Sequence, residues 1–157
     1  EGVGYGNALL SRYPVDRARL WDLSVRRHEP RGALDVELTI CGRTVHVLNT
    51  HLGLWPRERP QQADRLLELL SLSRRDLTIL MGDLNEWHGW GKSLRGLRRV
   101  FGSPAAPVTF PARWPVLALD RIWIFPAQAL LTVEAHDTPR SRLASDHLPV
   151  KADIYLP

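Results

Sequence analysis

Among its 157 residues the chain has a single cysteine, Cys41, a single methionine, Met81, and two lysines, Lys92 and Lys151. One cysteine excludes an internal disulfide and any metal site built from several thiolates. No apolar run approaches the ~20 residues that a membrane-spanning helix requires. Internal repeats, low-complexity stretches and long linkers are also missing. With 44% hydrophobic and 24% charged residues, 11 Gly and 12 Pro, the composition excludes a disordered tail, a collagen-like repeat and a disulfide-stapled mini-protein. It suits one domain over residues 1–157 with a sizeable core. A lone cysteine fits cytoplasm or periplasm, with the cytoplasm favoured.

Basic charge is therefore almost all arginine. Lys and Arg number 21 against 17 Asp and Glu, for a net charge of +4. Such an excess suits an anionic partner, whether nucleic acid, phospholipid headgroup or small phosphate ester. A solvated arginine-rich surface explains it equally well.

Hydrophobic periodicity predicts a strand-rich chain with two inserted helices. Asn7–Ser11 is short and apolar and stops at Tyr13-Pro14. Arg19–Val25 and Leu34–Ile40 read as strands, the second alternating Leu34, Val36, Leu38 and Ile40 against Asp35, Glu37 and Thr39. Cys41-Gly42-Arg43 is a tight turn into an antiparallel partner, Val45–Leu52. Pro60 suits a first helical turn, and Ala63, Leu66, Leu67 and Leu70 follow at helical spacing. Leu77–Met81 reads as a buried strand, and Ser93–Phe101 as a short helix. Pro104, Pro107, Pro111 and Pro115 predict an irregular loop. Strands at Arg121–Phe125, Leu130–Ala135 and Val150–Tyr155 close a mixed-sheet α/β domain.

Four polar clusters lie where these strands end: Asn49-Thr50-His51, Gly82-Asp83-Leu84-Asn85-Glu86, Asp120-Arg121 and Ser145-Asp146-His147. Singly, each has a plain explanation. Asp83, Asn85 and Asp146 are natural turn formers, and His51 suits a strand-end hydrogen bond. Asp120 is harder to dismiss, because it stands between apolar pairs where a buried carboxylate needs a partner. Together they supply what hydrolysis of a phosphate ester requires. His147 can take a proton from water, and Asp120 can fix its tautomer. Asp146 and Asp83 offer hard oxygens suited to Mg²⁺. Asn85 can hold a phosphoryl oxygen, and His51 can donate from the opposite side.

The segments GNALLSRYPV, LNTHLG, GDLNEW, LDRIWI and SDHLPV resemble, in this order, the endonuclease/exonuclease/phosphatase superfamily. Its members include DNase I-like nucleases, abasic-site endonucleases, neutral sphingomyelinases and inositol polyphosphate 5-phosphatases. The resemblance runs from about Gly6 to Ile154 and is nearest to a compact bacterial subgroup. It implies a four-layer, two-sheet α/β sandwich with a Mg²⁺- or Mn²⁺-dependent phosphoesterase site at one edge. Carried over, His147 is the general base, Asp120 its orienting carboxylate, and Asp83 and Asn85 the pair that places water and phosphate. Asp146 becomes a metal ligand, and His51 a phosphate contact or acid. Asn7 falls near the partner position of that histidine, and a plain strand-end hydrogen bond suits it equally.

One departure matters. The family begins with an Asn-bearing strand and a Gln-Glu pair whose Glu is the principal metal ligand. Glu1, Glu58, Glu86 and Glu134 do not stand in that context. The resemblance thus implies that the chain carries the C-terminal two-thirds of a family domain, without its N-terminal strands, and is weakly active or inactive alone. Exposed sheet edges would then favour a homodimer. Arg57, Arg59 and Arg121 are candidate phosphate contacts, and Trp55, Trp87, Trp90 and Trp114 are candidate stacking or interfacial groups. Two readings stay open beside the phosphodiesterase: a non-catalytic anion-binding module, and a phospholipid-headgroup phosphodiesterase.

Overall fold

The structure, a computed structural model, describes residues 6–72, 76–89 and 91–156. Trp90 and Glu1 to Tyr5 lie outside the described residues. Five strands form the larger sheet in sequence order: β1 (Val15–Asp22), β2 (Gly32–Ile40), β3 (Arg43–His51), β4 (Leu77–Asp83) and β5 (Asp120–Phe125). All neighbours are antiparallel except β3 and β4, which run parallel across the helix α1 (Arg59–Leu72). A parallel pair needs such a crossover, because a tight turn can join only antiparallel strands. Helix α2 (Lys92–Phe101) follows β4. A second sheet pairs β6 (Leu130–Ala135) with β7 (Val150–Ile154).

Each face of the larger sheet has its own core. On one face Leu48, Leu80 and Trp123 pack with Leu66, Leu69 and Leu70 of α1 and Leu94, Leu97 and Phe101 of α2. On the other, Val36, Val45, Val47 and Ile124 meet Ala129, with Leu130 and Ile154 of the smaller sheet packed against them. The buried Asp35 belongs to the helix-side face despite its charge. It accepts hydrogen bonds from Trp21 Nε1 at 2.9 Å and pairs with His46 Nε2 at 2.6 Å, so the carboxylate is paid for locally.

Three local expectations need correction. The first strand covers Val15–Asp22 rather than Arg19–Val25, because its pairing with β2 sets the boundary and not its own weak apolar pattern. Asn7–Ser11 is no ladder strand. Asn7 Nδ2 and Asn49 Nδ2 pin this segment by donating to the carbonyls of Gly32 and Ala8. The short helix α3 (Ser141–Ala144), ahead of His147, gave no periodic signal because it is a single turn.

Candidate active site

Register brings the site together. In the parallel pair His51 stands opposite Asp83, and in the antiparallel pair Asp83 stands opposite Asp120. These residues therefore form one row across β3, β4 and β5. Strand alternation points them to the face that carries Val45, Val47, Ile79 and Ile124, toward the second sheet. His147 enters from the loop before β7, with Nδ1 2.8 Å from Asp120 Oδ2.

The row is close because of Gly82. Its φ is +136°, and a Cβ built there would lie 1.8 Å from the Thr50 carbonyl oxygen. Only glycine lets β4 pass β3 so closely immediately before Asp83. The chain then turns at Asn85, whose φ is +49° and whose backbone N–H donates to Asp83 Oδ1 at 2.7 Å. The buried Asn85 amide donates through Nδ2 to the Leu52 carbonyl at 2.9 Å, tying the β4 loop to the β3 loop.

A carboxylate only accepts hydrogen bonds, so the bond to Asp120 assigns the proton of His147 to Nδ1 and leaves Nε2 with a lone pair. Thr109 Oγ1 donates to the same Asp120 oxygen at 2.6 Å. The Phe110 ring stands 4.8 Å from the His147 ring, limiting where the imidazole can rotate. His147 Nε2 is 3.9 Å, and His51 Nε2 3.5 Å, from Asp83 Oδ2. Asp83, Asp120 and His147 thus bring three ligand atoms within 4.8 Å of one another.

Electrostatics separates the two histidines. Burial is the largest influence on His147 and lowers its pKa. The Asp120 hydrogen bond and the charges of Asp120, Asp83 and Asp146 together outweigh it, so the net shift is upward. Burial lowers His51, with the Arg31 charge adding to it and Asp83 opposing. Burial raises Asp83 and the nearby Asp120 charge adds to this, while the Asn85 N–H opposes. In a histidine NMR titration of the metal-free chain, His51 is expected to lose its proton first as pH rises, and His147 later. The reverse order would overturn this assignment of environments.

The other sequence candidates are spread around this row. Asp146 is exposed and accepts from Ser145 Oγ at 3.4 Å, outside the three-group cluster. Asn7 and His51 line one small cavity of about 260 Å³ with Glu29 and Arg31. Arg57 is exposed at the entry to α1. Arg121 is buried on the helix side of β5, opposite Asp120, and burial pulls its pKa down. Thr109, Phe110 and Arg31 escaped the sequence reading. Thr109 and Phe110 lie in the proline-rich loop, and no spacing rule links that loop to Asp120 or His147.

The profile of the Endonuclease/Exonuclease/phosphatase family matches residues 1–147. The chain belongs to this family. Uncharacterized protein YbhP of Escherichia coli (strain K12) is 36% identical over 163 residues, which cover 97% of this chain and 63% of the relative. The chain therefore spans less than two thirds of the length of the curated relatives it matches. An endonuclease/exonuclease/phosphatase structure from Bacteroides vulgatus superposes with a TM-score of 0.74 at 18% identity, over 92% of this chain and 67% of the other. A mannosyl-6-phosphatase of Bacteroides thetaiotaomicron VPI-5482 gives 0.74 at 17% identity, over 90% and 67%. Humanized D. rerio TDP2 gives 0.65 at 17% identity, over 90% and 67%. These likenesses establish the DNase I-like two-sheet α/β fold. No helix among the described residues is long and apolar enough to cross a membrane.

Proposed function

We propose that the whole protein is a Mg²⁺- or Mn²⁺-dependent phosphodiesterase and that this chain carries its general base and most of its phosphate-facing groups. The observation that carries the reading is the His147–Asp120 bond, set 3.9 Å from Asp83 Oδ2. A water molecule within hydrogen-bonding reach, ~2.8 Å, of both His147 Nε2 and Asp83 would be held for attack on phosphorus. His147 takes its proton, and Asp120 stabilises the imidazolium that results. Asp83 orients the water, while His51 and Asn7 face the same edge from β3 and the preceding segment. Asn85, itself buried, keeps the Asp83 loop in place through Leu52, and we assign its second amide hydrogen to a phosphoryl oxygen. Arg57 and Arg121 add positive charge at the rim and beneath the sheet.

The donor set fits a hard divalent cation. Asp83 and Asp120 are neighbouring, partly buried carboxylates, and burial together with the charge of Asp120 opposes ionisation of Asp83. A cation placed there relieves that repulsion. Asp83 would hold it, with Asp146 the nearest further carboxylate along the chain before His147. When bound, the metal neutralises charge on the phosphoryl oxygens.

Hydrolysis of bis(p-nitrophenyl) phosphate tests the reading, on this chain and on a protein of its relatives' full length. The full-length protein is expected to turn over with Mg²⁺ or Mn²⁺ and to lose at least 99% of its rate in EDTA, with the shorter chain slower. Undiminished turnover in EDTA would overturn metal dependence. Binding of nucleic acid that weakens steeply with salt, without any turnover in the full-length protein, would favour the anion-binding module.

A further inference from the structure

The loop that brings Thr109 and Phe110 to the site is a small hairpin. Phe110 bridges Leu117, and the Val116 N–H donates to the Phe110 carbonyl at 2.9 Å. The Trp114 N–H closes the turn on the Pro111 carbonyl, also at 2.9 Å. The base of the hairpin is fastened beside the catalytic row. Thr109 bonds Asp120, and the Ala112 N–H donates to the Asp146 carbonyl at 2.7 Å. Its tip is bare, with Trp114 78% and Val116 70% exposed. The single turn α3 adjoins the tip, because Arg142 Nη1 donates to the Arg113 carbonyl at 3.4 Å. It adds Leu143, 79% exposed.

Trp114 is the most exposed large aromatic side chain among the described residues. Its turn is braced by backbone bonds at both ends, so the indole is held outward by the fold. Single exposed apolar residues are ordinary, but large ones gathered on two adjoining segments mark a contact surface. The other exposed tryptophans, Trp55 and Trp87, also lie at this end of the sheet, in the loops after β3 and β4. Charge narrows the partner. Arg113 and Arg140 are exposed beside the patch. Of the neighbouring carboxylates, Asp137 is already held by Arg142 through bonds of 2.6 and 2.7 Å, which leaves Asp146 against the two arginines. Indole at the tip with arginine behind it matches a membrane interface, where the ring sits at headgroup depth and the cation meets lipid phosphate.

We propose that this rim docks the protein on a bilayer that carries anionic phospholipid. Trp114, Val116 and Leu143 enter the interface, and Arg113 and Arg140 meet the headgroup phosphates. In turning the catalytic row toward a phosphodiester at the membrane surface, this rests on the phosphodiesterase reading. Attachment itself does not depend on that reading.

Vesicle flotation of this chain tests the surface, with phosphatidylglycerol and phosphatidylcholine in equal parts against phosphatidylcholine alone. Binding is expected to be at least about tenfold tighter to the anionic vesicles, and to weaken with salt. Trp114→Ser, Leu143→Ser and Arg113→Glu should each weaken it by about tenfold, whereas Trp114→Phe should keep most of it. These positions are exposed, so unfolding in urea should not change. Hydrolysis of the soluble bis(p-nitrophenyl) phosphate by the full-length protein should also be unchanged in Trp114→Ser. Brominated acyl chains should quench tryptophan fluorescence on binding, and less so in Trp114→Phe. Absence of binding to anionic vesicles, or equal binding by Trp114→Ser and Leu143→Ser, would overturn the proposal. A dimer in solution that Trp114→Ser disperses would overturn it in favour of a second copy of the chain. Single-stranded DNA that binds the chain but not Trp114→Ser, with vesicles left unbound, would overturn it in favour of nucleic acid. Absence of turnover in the full-length protein with vesicle binding intact would remove the phosphodiesterase reading and leave this surface standing.

Discussion

His147→Ala is expected to lower kcat for phosphodiester hydrolysis by about 10²- to 10⁴-fold in the full-length protein, the range that a positioned general base contributes. Stability should change little, because the side chain is 24% exposed and its one strong bond, to Asp120, faces the cleft. KM should also change little, since the imidazole acts on water rather than on substrate binding. Asp120→Asn should cause a loss of similar size. An amide in that place can present an N–H to the ring, and the imidazole is then no longer held with its proton on Nδ1 and its lone pair on Nε2. Thr109 supports the same carboxylate, so Thr109→Val should lower kcat more modestly, leaving the acceptor with one donor fewer. Retained turnover in His147→Ala, with unfolding in urea unchanged, would remove it from the role of base.

Gly82→Ala is expected to produce the largest loss of stability available from a single methyl group in this chain. Two costs combine. The φ of +136° is strained for an L side chain, and the new Cβ would meet the Thr50 carbonyl oxygen at 1.8 Å, which is backbone and cannot swing aside. Strained backbone costs about 1–3 kcal/mol and overpacking a similar amount, so about 4 kcal/mol in all is expected from urea denaturation. The site should suffer as well, because relief of the clash requires β3 and β4 to separate where His51 stands opposite Asp83. A variant within about 1 kcal/mol of the parent would mean that the close strand approach at Gly82 is not what sets the row.

The sequence by itself determined which residues could carry the proposed chemistry. His51, Asp83 and Asp120 stand at the ends of the apolar runs that predict β3, β4 and β5, and His147 stands just ahead of β7, where polar residues replace the apolar pattern. The β2–β3 hairpin, the amphipathic spacing of α1 and the family resemblance were legible for the same local reason: each is written in consecutive residues. Tertiary structure decided which neighbours those residues meet. Whether Asp83 faces His51 on one side and Asp120 on the other depends on register, which alternation alone leaves free to slip in steps of two. Thr109 and Phe110 reach Asp120 and His147 only because the proline-rich loop folds back across β5. Arg121, one residue from Asp120, points to the opposite side of the sheet, because adjacent residues on a strand face apart. Arg59 and Glu86, ordinary charged residues in a linear reading, become a buried ion pair only when the loops after β3 and β4 come together. Local pattern sets what each segment can be, and long-range packing sets which polar groups lose water together and so which must find one another.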